Sequence, residues 1–282
     1  MNKAVQNIIE AHLNDEVISG ASVGGGCIAD SKIIETRSGT KYFLKQGFSN
    51  GVFSCEANGL KEIEKSQSIK TPKLIIIEKD FLLLEYLNQG LKSQESMFNF
   101  GCKFAFMHQY ENESYGFYED NFIGSNNQVN TQMPQWSDFY FQNRLLFQFK
   151  LAEKNGFVDK VFRSLFKGLE KRLNSILKGS EEAPSLLHGD LWGGNYLIGE
   201  NGDAVLIDPA VYYGHREADL AMTKLFGGFS EEFYEGYHQT YPLKEGYEHR
   251  EKIYLLYHVL NHLNLFGSSY YSQAINLMRY YQ

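Results

Sequence analysis

One stretch of this chain constrains its fold more than any other: LLHGDLWGGNYLIGENGDAVLIDPA, residues 186–210. Two short apolar segments surround a turn at Asn201-Gly202-Asp203, and this pattern predicts a β-hairpin. Asn195 stands just before the first strand and Asp208 just after the second, so a hairpin brings their side chains together. Asp190 lies on the loop that enters the hairpin. The pattern therefore predicts two carboxylates and one amide in a small volume.

Such a set of side chains suits phosphoryl transfer. Mg²⁺ prefers hard oxygen ligands, which the amide oxygen of Asn195 and the carboxylate of Asp208 supply. Asp190, which is not needed on the metal, is then available to accept the proton of a substrate hydroxyl. Protein kinases use H-R-D-x-x-x-x-N followed by D-F-G. Here the Asp-to-Asn spacing is the same, with Gly189 in place of the arginine and DPA in place of DFG. The alternative is a hairpin with polar ends and no chemistry.

Several motifs closely resemble the fructosamine kinase (ketosamine kinase) family, a branch of the protein-kinase-like superfamily beside the aminoglycoside phosphotransferases and choline kinases. They are HGDLWGGN at 188–195, DPA at 208–210 and YGHREADLAM at 213–222. GGGCI at 24–28 and FGGF at 226–229 also resemble the family, so the resemblance covers nearly the whole chain. It implies a bilobal protein-kinase-like fold of the α+β class, with ATP and Mg²⁺ as cofactors.

The same resemblance implies the roles of the central residues and the acceptor. Asp190 is the implied catalytic base, and Asn195 and Asp208 are the implied metal ligands. The implied acceptor is a ketosamine, a fructosamine or ribulosamine adduct on a small amine or a protein, phosphorylated at a sugar hydroxyl as a step in deglycation. Trp192 and His188 are candidate acceptor contacts; for Trp192 the alternative is ordinary packing.

Composition limits the remaining possibilities. The chain has 282 residues, 43% of them hydrophobic, which is enough for one or two domains with a core. A net charge of −7 argues against a nucleic-acid-binding surface. Three cysteines without a C-x-x-C pair favour a reducing, intracellular setting, and the polar N-terminus does not resemble a signal peptide. No apolar run has the length of a membrane span. We therefore expect a cytoplasmic monomer or homodimer without membrane or nucleic-acid partners.

The first 88 residues are expected to form the N-terminal lobe, and residues 89–282 a mainly helical C-terminal lobe. An amphipathic helix is predicted at the N-terminus, followed by a five-stranded antiparallel sheet. The first strand is expected to end near Gly20, and the other four to cover residues 32–36, 41–46, 74–78 and 81–85. ATP is expected to lie in the cleft between the two lobes.

Four groups of residues in this lobe are candidate ATP contacts. Gly24, Gly25 and Gly26 lie between the first two strands, where glycines let backbone N–H groups approach phosphate oxygens; a plain turn is the alternative. Lys45 on the third strand is expected to bind phosphates, and Glu56 on a helix over Val52–Lys65 to hold that lysine. The alternatives are an edge lysine and a surface acid. Backbone groups of Glu85, Tyr86 and Leu87 occupy the position of a kinase hinge.

The rest of the C-terminal lobe offers fewer signals. Residues 111–135 are rich in aromatic and amide side chains, and they predict either a loop that binds a carbohydrate acceptor or a flexible surface loop. His108 and His215 are expected to be structural. Asp219 is expected to cap a helix or pair with Arg216 and so to support the loop that carries Asp190. His258 and His262 have the H-x-x-x-H spacing of a zinc motif, but the glutamate that follows the first histidine in that motif is absent.

Other functions remain open from the residues alone. An aminoglycoside or choline kinase shares the same motifs, and a nucleotide-binding pseudokinase is a further alternative. Cys27 follows the glycine triplet directly, so we consider it a candidate for reversible redox inhibition, with a buried unreactive cysteine as the alternative.

Overall fold

The N-terminal part of the chain is built on one antiparallel sheet of five strands in the order β1-β2-β3-β5-β4. A computed structural model describes residues 1–23, 30–47 and 51–282. The elements here are α1 (Lys3–Leu13), β1 (Val17–Ser22), β2 (Asp30–Thr36), β3 (Lys41–Gln46), α2 (Val52–Lys65), β4 (Leu74–Ile77) and β5 (Phe81–Glu85). The predicted sheet and the predicted bounds of α2 are confirmed.

The alternation of side chains in β3 and β5 explains how this sheet is covered. Leu44 and Leu83 point to the face on which α1 packs, whereas Leu82 and Leu84 point to the face on which α2 packs. Both faces are thus buried, which is why β5 is an uninterrupted apolar run. Lys45 follows Leu44 and therefore points to the α2 side of the sheet.

The chain leaves the sheet at Glu85 and crosses the predicted hairpin of the C-terminal part. The N–H of Gly90 donates to the carbonyl of Ile198 at 2.7 Å. A Cβ atom on Gly90 would lie 2.4 Å from the carbonyl oxygen of Gly199, so only glycine fits this approach. The segment that follows β5 is thereby fixed to the hairpin at Gly90. A domain division at residue 88 stays a prediction.

The C-terminal part is mainly helical and contains one large apolar core. Its helices are α3 (Gln94–His108), α4 (Trp136–Phe139), α5 (Phe147–Lys154), α6 (Lys160–Leu177), α7 (Glu217–Leu225), α8 (Glu231–Thr240), α9 (Tyr247–Phe266) and α10 (Tyr271–Arg279). A π-helical segment, Tyr140–Leu146, joins α4 to α5, and a 3₁₀ turn, Ser268–Tyr270, precedes α10. None of the helices in the described residues is long and apolar enough to cross a membrane.

Three short antiparallel pairs complete this part. They are β6 (Asn121–Ile123) with β7 (Asn126–Gln128), β8 (Ser185–Leu187) with β11 (Tyr212–Gly214), and β9 (Tyr196–Ile198) with β10 (Ala204–Leu206). The predicted hairpin is β9 and β10, with Tyr196 opposite Leu206. Its second strand is one residue shorter than the apolar run to Ile207. The hairpin thus places its two ends, Asn195 and Asp208, side by side.

Candidate active site

Lys45 joins the sheet to the catalytic part of the chain. Its Nζ donates to Glu56 Oε1 at 2.7 Å and forms a second ion pair with Asp208. Lys45 and Glu56 are buried, whereas the Asp208 side chain is 43% exposed. Burial opposes the charge on Lys45, but the carboxylates of Asp208 and Glu56 more than offset this effect and raise its pKa. The predicted contact between Lys45 and Glu56 is present, and Asp208 shares the lysine.

The ends of the hairpin meet as the sequence predicts. The N–H of Ile207 donates to the carbonyl oxygen of Asn195 at 3.0 Å, which holds Asp208 next to that amide. Asp208 has a positive φ of 54°, one of three such non-glycine residues in the described chain. Asp and Asn tolerate this left-handed conformation better than most residues do. The turn aims the carboxylate back toward the sheet and Lys45.

Asp190 and Asn195 are in direct contact. Nδ2 of Asn195 donates to the backbone carbonyl of Asp190 at 2.8 Å and lies 3.3 Å from Oδ2 of its side chain. Burial raises the pKa of Asp190 well above its usual value, and the carboxylates of Asp208 and Asp219 raise it further. Because the amide nitrogen is engaged, the amide oxygen of Asn195 is the atom left to bind a cation.

The buried side chain of Asp219 fixes the backbone of residues 188–195, the predicted catalytic loop. Its carboxylate accepts from the N–H of His188 at 2.6 Å and from the N–H of Gly189 at 2.8 Å, and it lies 3.2 Å from Nε2 of His108. Burial opposes its charge, but the His108 contact and the backbone N–H groups outweigh this and lower the pKa of Asp219. The predicted pairing with Arg216 is wrong, although the expected support of the loop is present.

Gly189 is required by the geometry of the same loop. Its φ is 83°, and a Cβ atom there would lie 2.0 Å from the carbonyl oxygen of Ala210. The N–H of Ala210 donates to the carbonyl of His188 at 2.9 Å, so the loop and the DPA segment are in backbone contact. An arginine at 189, as protein kinases have, does not fit this arrangement.

Arg216 stabilises the loop indirectly. Its Nε donates to Glu182 at 3.1 Å, and its Nη1 lies 3.4 Å from the hydroxyl of Tyr237. That hydroxyl is 2.7 Å from Nδ1 of His108, whose Nε2 faces Asp219. Burial lowers the pKa of His108, so its neutral ring donates through Nε2 and accepts through Nδ1. This chain of hydrogen bonds was missed because it joins residues that are far apart in the sequence.

Two further predictions about the acceptor region are corrected by burial. His188 is fully buried, and its Nε2 contacts the carbonyl oxygen of Ile207 at 2.9 Å, so it is a structural residue and does not line the cleft. The amides of residues 111–135 are also used internally. Asn121 donates to Val211 O at 2.7 Å, Gln128 donates to Ala210 O at 2.9 Å, and Asn130 accepts from Arg144. This segment therefore holds the DPA turn through hydrogen bonds to the carbonyl oxygens of Ala210 and Val211.

Trp192 fulfils the geometric condition for an acceptor wall. It lies two residues after Asp190, its side chain is 37% exposed, and its ring meets Phe226 edge-on with centroids 6.3 Å apart. A Cβ atom on Gly194 would lie 2.3 Å from the indole, so the ring is folded over that glycine. A contact between Trp192 and an acceptor stays a prediction.

Helix α2 is attached to the catalytic part of the chain. The hydroxyl of Tyr213 donates to Oε1 of buried Glu62 at 2.8 Å, and Nδ2 of Asn58 donates to Glu119 at 3.0 Å. A Cβ atom on Gly59 would lie 3.1 Å from Pro209, so α2 packs closely against the DPA turn. These contacts hold Glu56 where Lys45 meets it.

Some predicted nucleotide contacts lie outside the described residues or stay untested. Gly24, Gly25, Gly26 and Cys27 are outside them, so the redox role of Cys27 stays a prediction. Cys55 is a poor candidate for redox chemistry. Burial and the nearby acids Glu119 and Asp120 raise the pKa of its thiol to about 11, which disfavours the reactive thiolate. The segment Glu85-Tyr86-Leu87 is half-buried at the end of β5, and its contact with adenine stays a prediction.

The residues present fit Mg²⁺. No group of three or more His, Cys, Asp and Glu side chains able to hold a metal occurs among the described residues. Mg²⁺ typically uses one or two protein carboxylates together with water and substrate phosphates. The carboxylate of Asp208 and the amide oxygen of Asn195 are two oxygen atoms of the kind that Mg²⁺ prefers, and Asp190 is in contact with Asn195.

Buried histidines should make the protein sensitive to acid. His258 is buried beside His262, and burial lowers its pKa to about 3. An unfolded histidine takes up a proton near pH 6.5, so between pH 6.5 and 3 protonation favours the unfolded chain. Below pH 6 we expect the free energy of unfolding of the His258→Leu variant to fall less steeply than that of the wild type, by about 1 kcal/mol per pH unit.

Urea denaturation at pH 7, 5.5 and 4.5 measures this difference. His238→Leu removes an exposed histidine and is the matched control, which should keep the wild-type pH dependence. An identical pH dependence of the wild type and His258→Leu would contradict the conclusion that buried His258 makes the folded protein sensitive to acid.

Comparison with known proteins identifies the family of this chain. The fructosamine kinase family model matches residues 1–281. The chain is 38% identical over 267 residues to a probable ketoamine kinase of Synechocystis, a match that covers 92% of this chain and 88% of the relative. It is also 38% identical over 267 residues to the chloroplastic protein-ribulosamine 3-kinase of Oryza sativa, covering 92% of this chain and 77% of the relative.

Solved structures give the same result. A Thermobifida fusca protein assigned as a fructosamine-3-kinase superposes with a TM-score of 0.90 at 30% identity, covering 100% of this chain and 99% of that chain. The aminoglycoside phosphotransferase APH(4)-Ia superposes with a TM-score of 0.64 at 13% identity, covering 98% and 97%, and shares the fold alone. The predicted kinase-like α+β fold is therefore confirmed, and the chain belongs to the fructosamine kinase family.

Proposed function

We propose that this protein is an ATP- and Mg²⁺-dependent kinase that phosphorylates a sugar hydroxyl of ketosamines. The observation that carries the proposal is the contact of Lys45 with both Glu56 and Asp208, beside the contact of Asp190 with Asn195. These contacts support the proposed roles, in which Lys45 binds phosphates, Asn195 and Asp208 bind the metal, and Asp190 is the base. Family membership supports a ketosamine as the acceptor.

Asp190 is the proposed proton acceptor. Its carboxylate is held by Asn195, and its backbone lies in the loop that Asp219 fixes, so its position is set before the acceptor binds. Burial and the neighbouring carboxylates raise the pKa of Asp190, so its carboxylate form is a stronger base toward the hydroxyl proton than an exposed aspartate is. A base within hydrogen-bond distance of the attacking hydroxyl contributes about 10²- to 10⁴-fold to the rate.

Asp208 and Asn195 are the proposed ligands of Mg²⁺, and Lys45 is the proposed partner of the ATP phosphates. Bound Mg²⁺ neutralises charge on the transferring phosphoryl group. Lys45 already carries a proton in this setting, because two carboxylates stabilise its charge. Glu56 would keep the lysine in place from α2 if Asp208 were bound to the metal.

The acceptor class is proposed on two grounds. The curated relatives are named for ketoamines and protein ribulosamines, and the aligned region covers most of each protein. Trp192 offers an exposed aromatic ring close to Asp190, against which a sugar can stack. The product is expected to be a phosphorylated ketosamine that separates from its amine more readily.

A direct assay tests this function. We expect phosphate transfer from ATP to ribulosamine and fructosamine derivatives of a small amine, detected by mass spectrometry, with no transfer to the free amine. Kanamycin and choline serve as competing acceptors, and the Asp190→Asn variant serves as the blank. Phosphorylation of kanamycin or choline without any of the ketosamines would contradict the proposed acceptor. The absence of any ATP-dependent product would point to a nucleotide-binding protein without transfer.

A further inference from the structure

An aromatic surface extends away from the catalytic loop, and the proposed chemistry uses only its first ring. This aromatic ridge consists of Trp192, Phe226, His262, Phe266 and Tyr270. Ring centroids are 6.3 Å apart between Trp192 and Phe226, and 4.9 Å apart between Phe226 and His262. His262 then lies 5.4 Å from Phe266 and 5.2 Å from Tyr270. The five rings form one connected surface.

The ridge is open to solvent. Trp192 is 37% exposed, Phe226 is 46% exposed and Phe266 is 51% exposed, and all three are among the large apolar side chains that remain on the surface. Keeping several neighbouring aromatic rings in water is unfavourable, and connected exposed apolar surface is typical of binding sites. The exposed rings of the ridge therefore favour binding of a ligand that has apolar surface of its own.

Two glycine contacts connect the ridge to the site of phosphoryl transfer. The indole of Trp192 lies folded over Gly194, which has no Cβ atom to displace it. A Cβ atom on Gly193 would lie 3.4 Å from Cα of Gly228, so the catalytic loop packs directly on the FGGF segment that carries Phe226. The ridge thus starts two residues from Asp190 and leads outward.

His262 makes the middle of the ridge neutral. Its Nδ1 lies 2.8 Å from the carbonyl oxygen of His258, so Nδ1 carries the proton and Nε2 is the acceptor. Burial lowers its pKa below the usual histidine value, which keeps the ring uncharged at neutral pH. A neutral aromatic surface favours apolar ligands and gives no advantage to acidic ones.

We propose that the aromatic ridge binds the carrier of the ketosamine, namely apolar or aromatic residues next to a glycated lysine in a peptide or protein. This inference rests on the proposed ketosamine kinase function. The sugar must reach Asp190, and one indole is sufficient to cover a sugar ring. The further rings continue from Trp192 in a row long enough for roughly four residues of extended chain. In a glycated peptide, the residues next to the modified lysine are the part of the acceptor that can reach these rings.

Two glycated peptides test the proposal. Both carry the same ribulosamine on a central lysine, flanked by phenylalanine in one peptide and by serine in the other. We expect the wild type to show a kcat/KM about tenfold higher for the phenylalanine peptide, mainly through KM, because ring burial contributes at this scale. Phe226→Ala and Phe266→Ala should bring the ratio of the two values close to one.

Phe106→Ala is the matched control, because Phe106 is 52% exposed on α3 and lies outside the ridge. This variant should keep the wild-type ratio, and melting temperatures verify that all variants are folded. Equal kcat/KM for both peptides in the wild type would overturn the proposal, as would a preference that survives in Phe226→Ala and Phe266→Ala. So would a dimer, measured by sedimentation, that Phe266→Ala dissociates without changing the preference, since the ridge would then join two copies of the chain.

Failure of the proposed function itself has a different result. In that case the wild type would phosphorylate neither peptide nor a ribulosamine of a small amine. Phosphorylation of the small ribulosamine together with equal use of both peptides contradicts only the role of the ridge.

Discussion

The Asp190→Asn variant is expected to lose about three powers of ten in kcat while its affinity for Mg-ATP changes by less than about threefold. The substitution removes the proposed proton acceptor but keeps the size of the side chain. Its amide oxygen still accepts the hydrogen bond from Nδ2 of Asn195, so the loop geometry is preserved. Asp219 continues to hold the loop backbone from below.

Steady-state kinetics with a ketosamine acceptor, together with calorimetric titration of Mg-ATP, measure both quantities. Asp138→Asn is the matched control, because it neutralises an exposed carboxylate in the first turn of α4 and should leave both values unchanged. Turnover of Asp190→Asn near the wild-type value would rule out Asp190 as the base.

The Asp208→Asn variant is expected to fail in a different way. It should lower kcat by a similar factor and, in addition, raise the Mg²⁺ concentration needed for half-maximal activity by about tenfold or more. The substitution removes one of the two proposed metal ligands as a carboxylate, and it removes one of the two anionic partners of Lys45. Asparagine tolerates the positive φ of 54° at this position, so the turn itself is kept.

Activity measured against Mg²⁺ at fixed ATP separates the two variants. Asp208→Asn should show a shifted Mg²⁺ dependence, whereas Asp190→Asn should show the wild-type dependence at a lower maximum. Indistinguishable Mg²⁺ curves for Asp208→Asn and the wild type would exclude Asp208 as a ligand. Lys45 should keep its ion pair with Glu56 in both variants, so loss of folding is not expected.

Local pattern was sufficient to predict the elements that carry the site. Alternation and turn residues gave the five strands and the hairpin, because each depends on a few adjacent residues. Once strand β3 and helix α2 were placed, the partnership of Lys45 and Glu56 followed from the need to neutralise an inward-facing acid.

Long-range hydrogen bonds are what local pattern did not predict. Asp219 was expected to cap α7 or to pair with nearby Arg216. Instead, it accepts hydrogen bonds from the backbone of a loop about thirty residues earlier, and neither segment carries a sequence pattern that indicates this contact. His188 looked like a polar residue beside the base, yet the short strands around it bury its ring. In residues 111–135 the amides turned inward, because the carbonyls of Ala210 and Val211 needed donors.

The attachment of α2 has a consequence for how this enzyme can be regulated. In protein kinases, activity is controlled by moving the corresponding helix, which makes or breaks the lysine–glutamate pair. Here the contact of Glu62 with Tyr213, and of Gly59 with Pro209, ties α2 to the part of the chain that holds Asp190. An inactive state of that kind would have to break a buried hydrogen bond and a packed interface. We therefore expect that displacement of α2 does not control the activity of this enzyme.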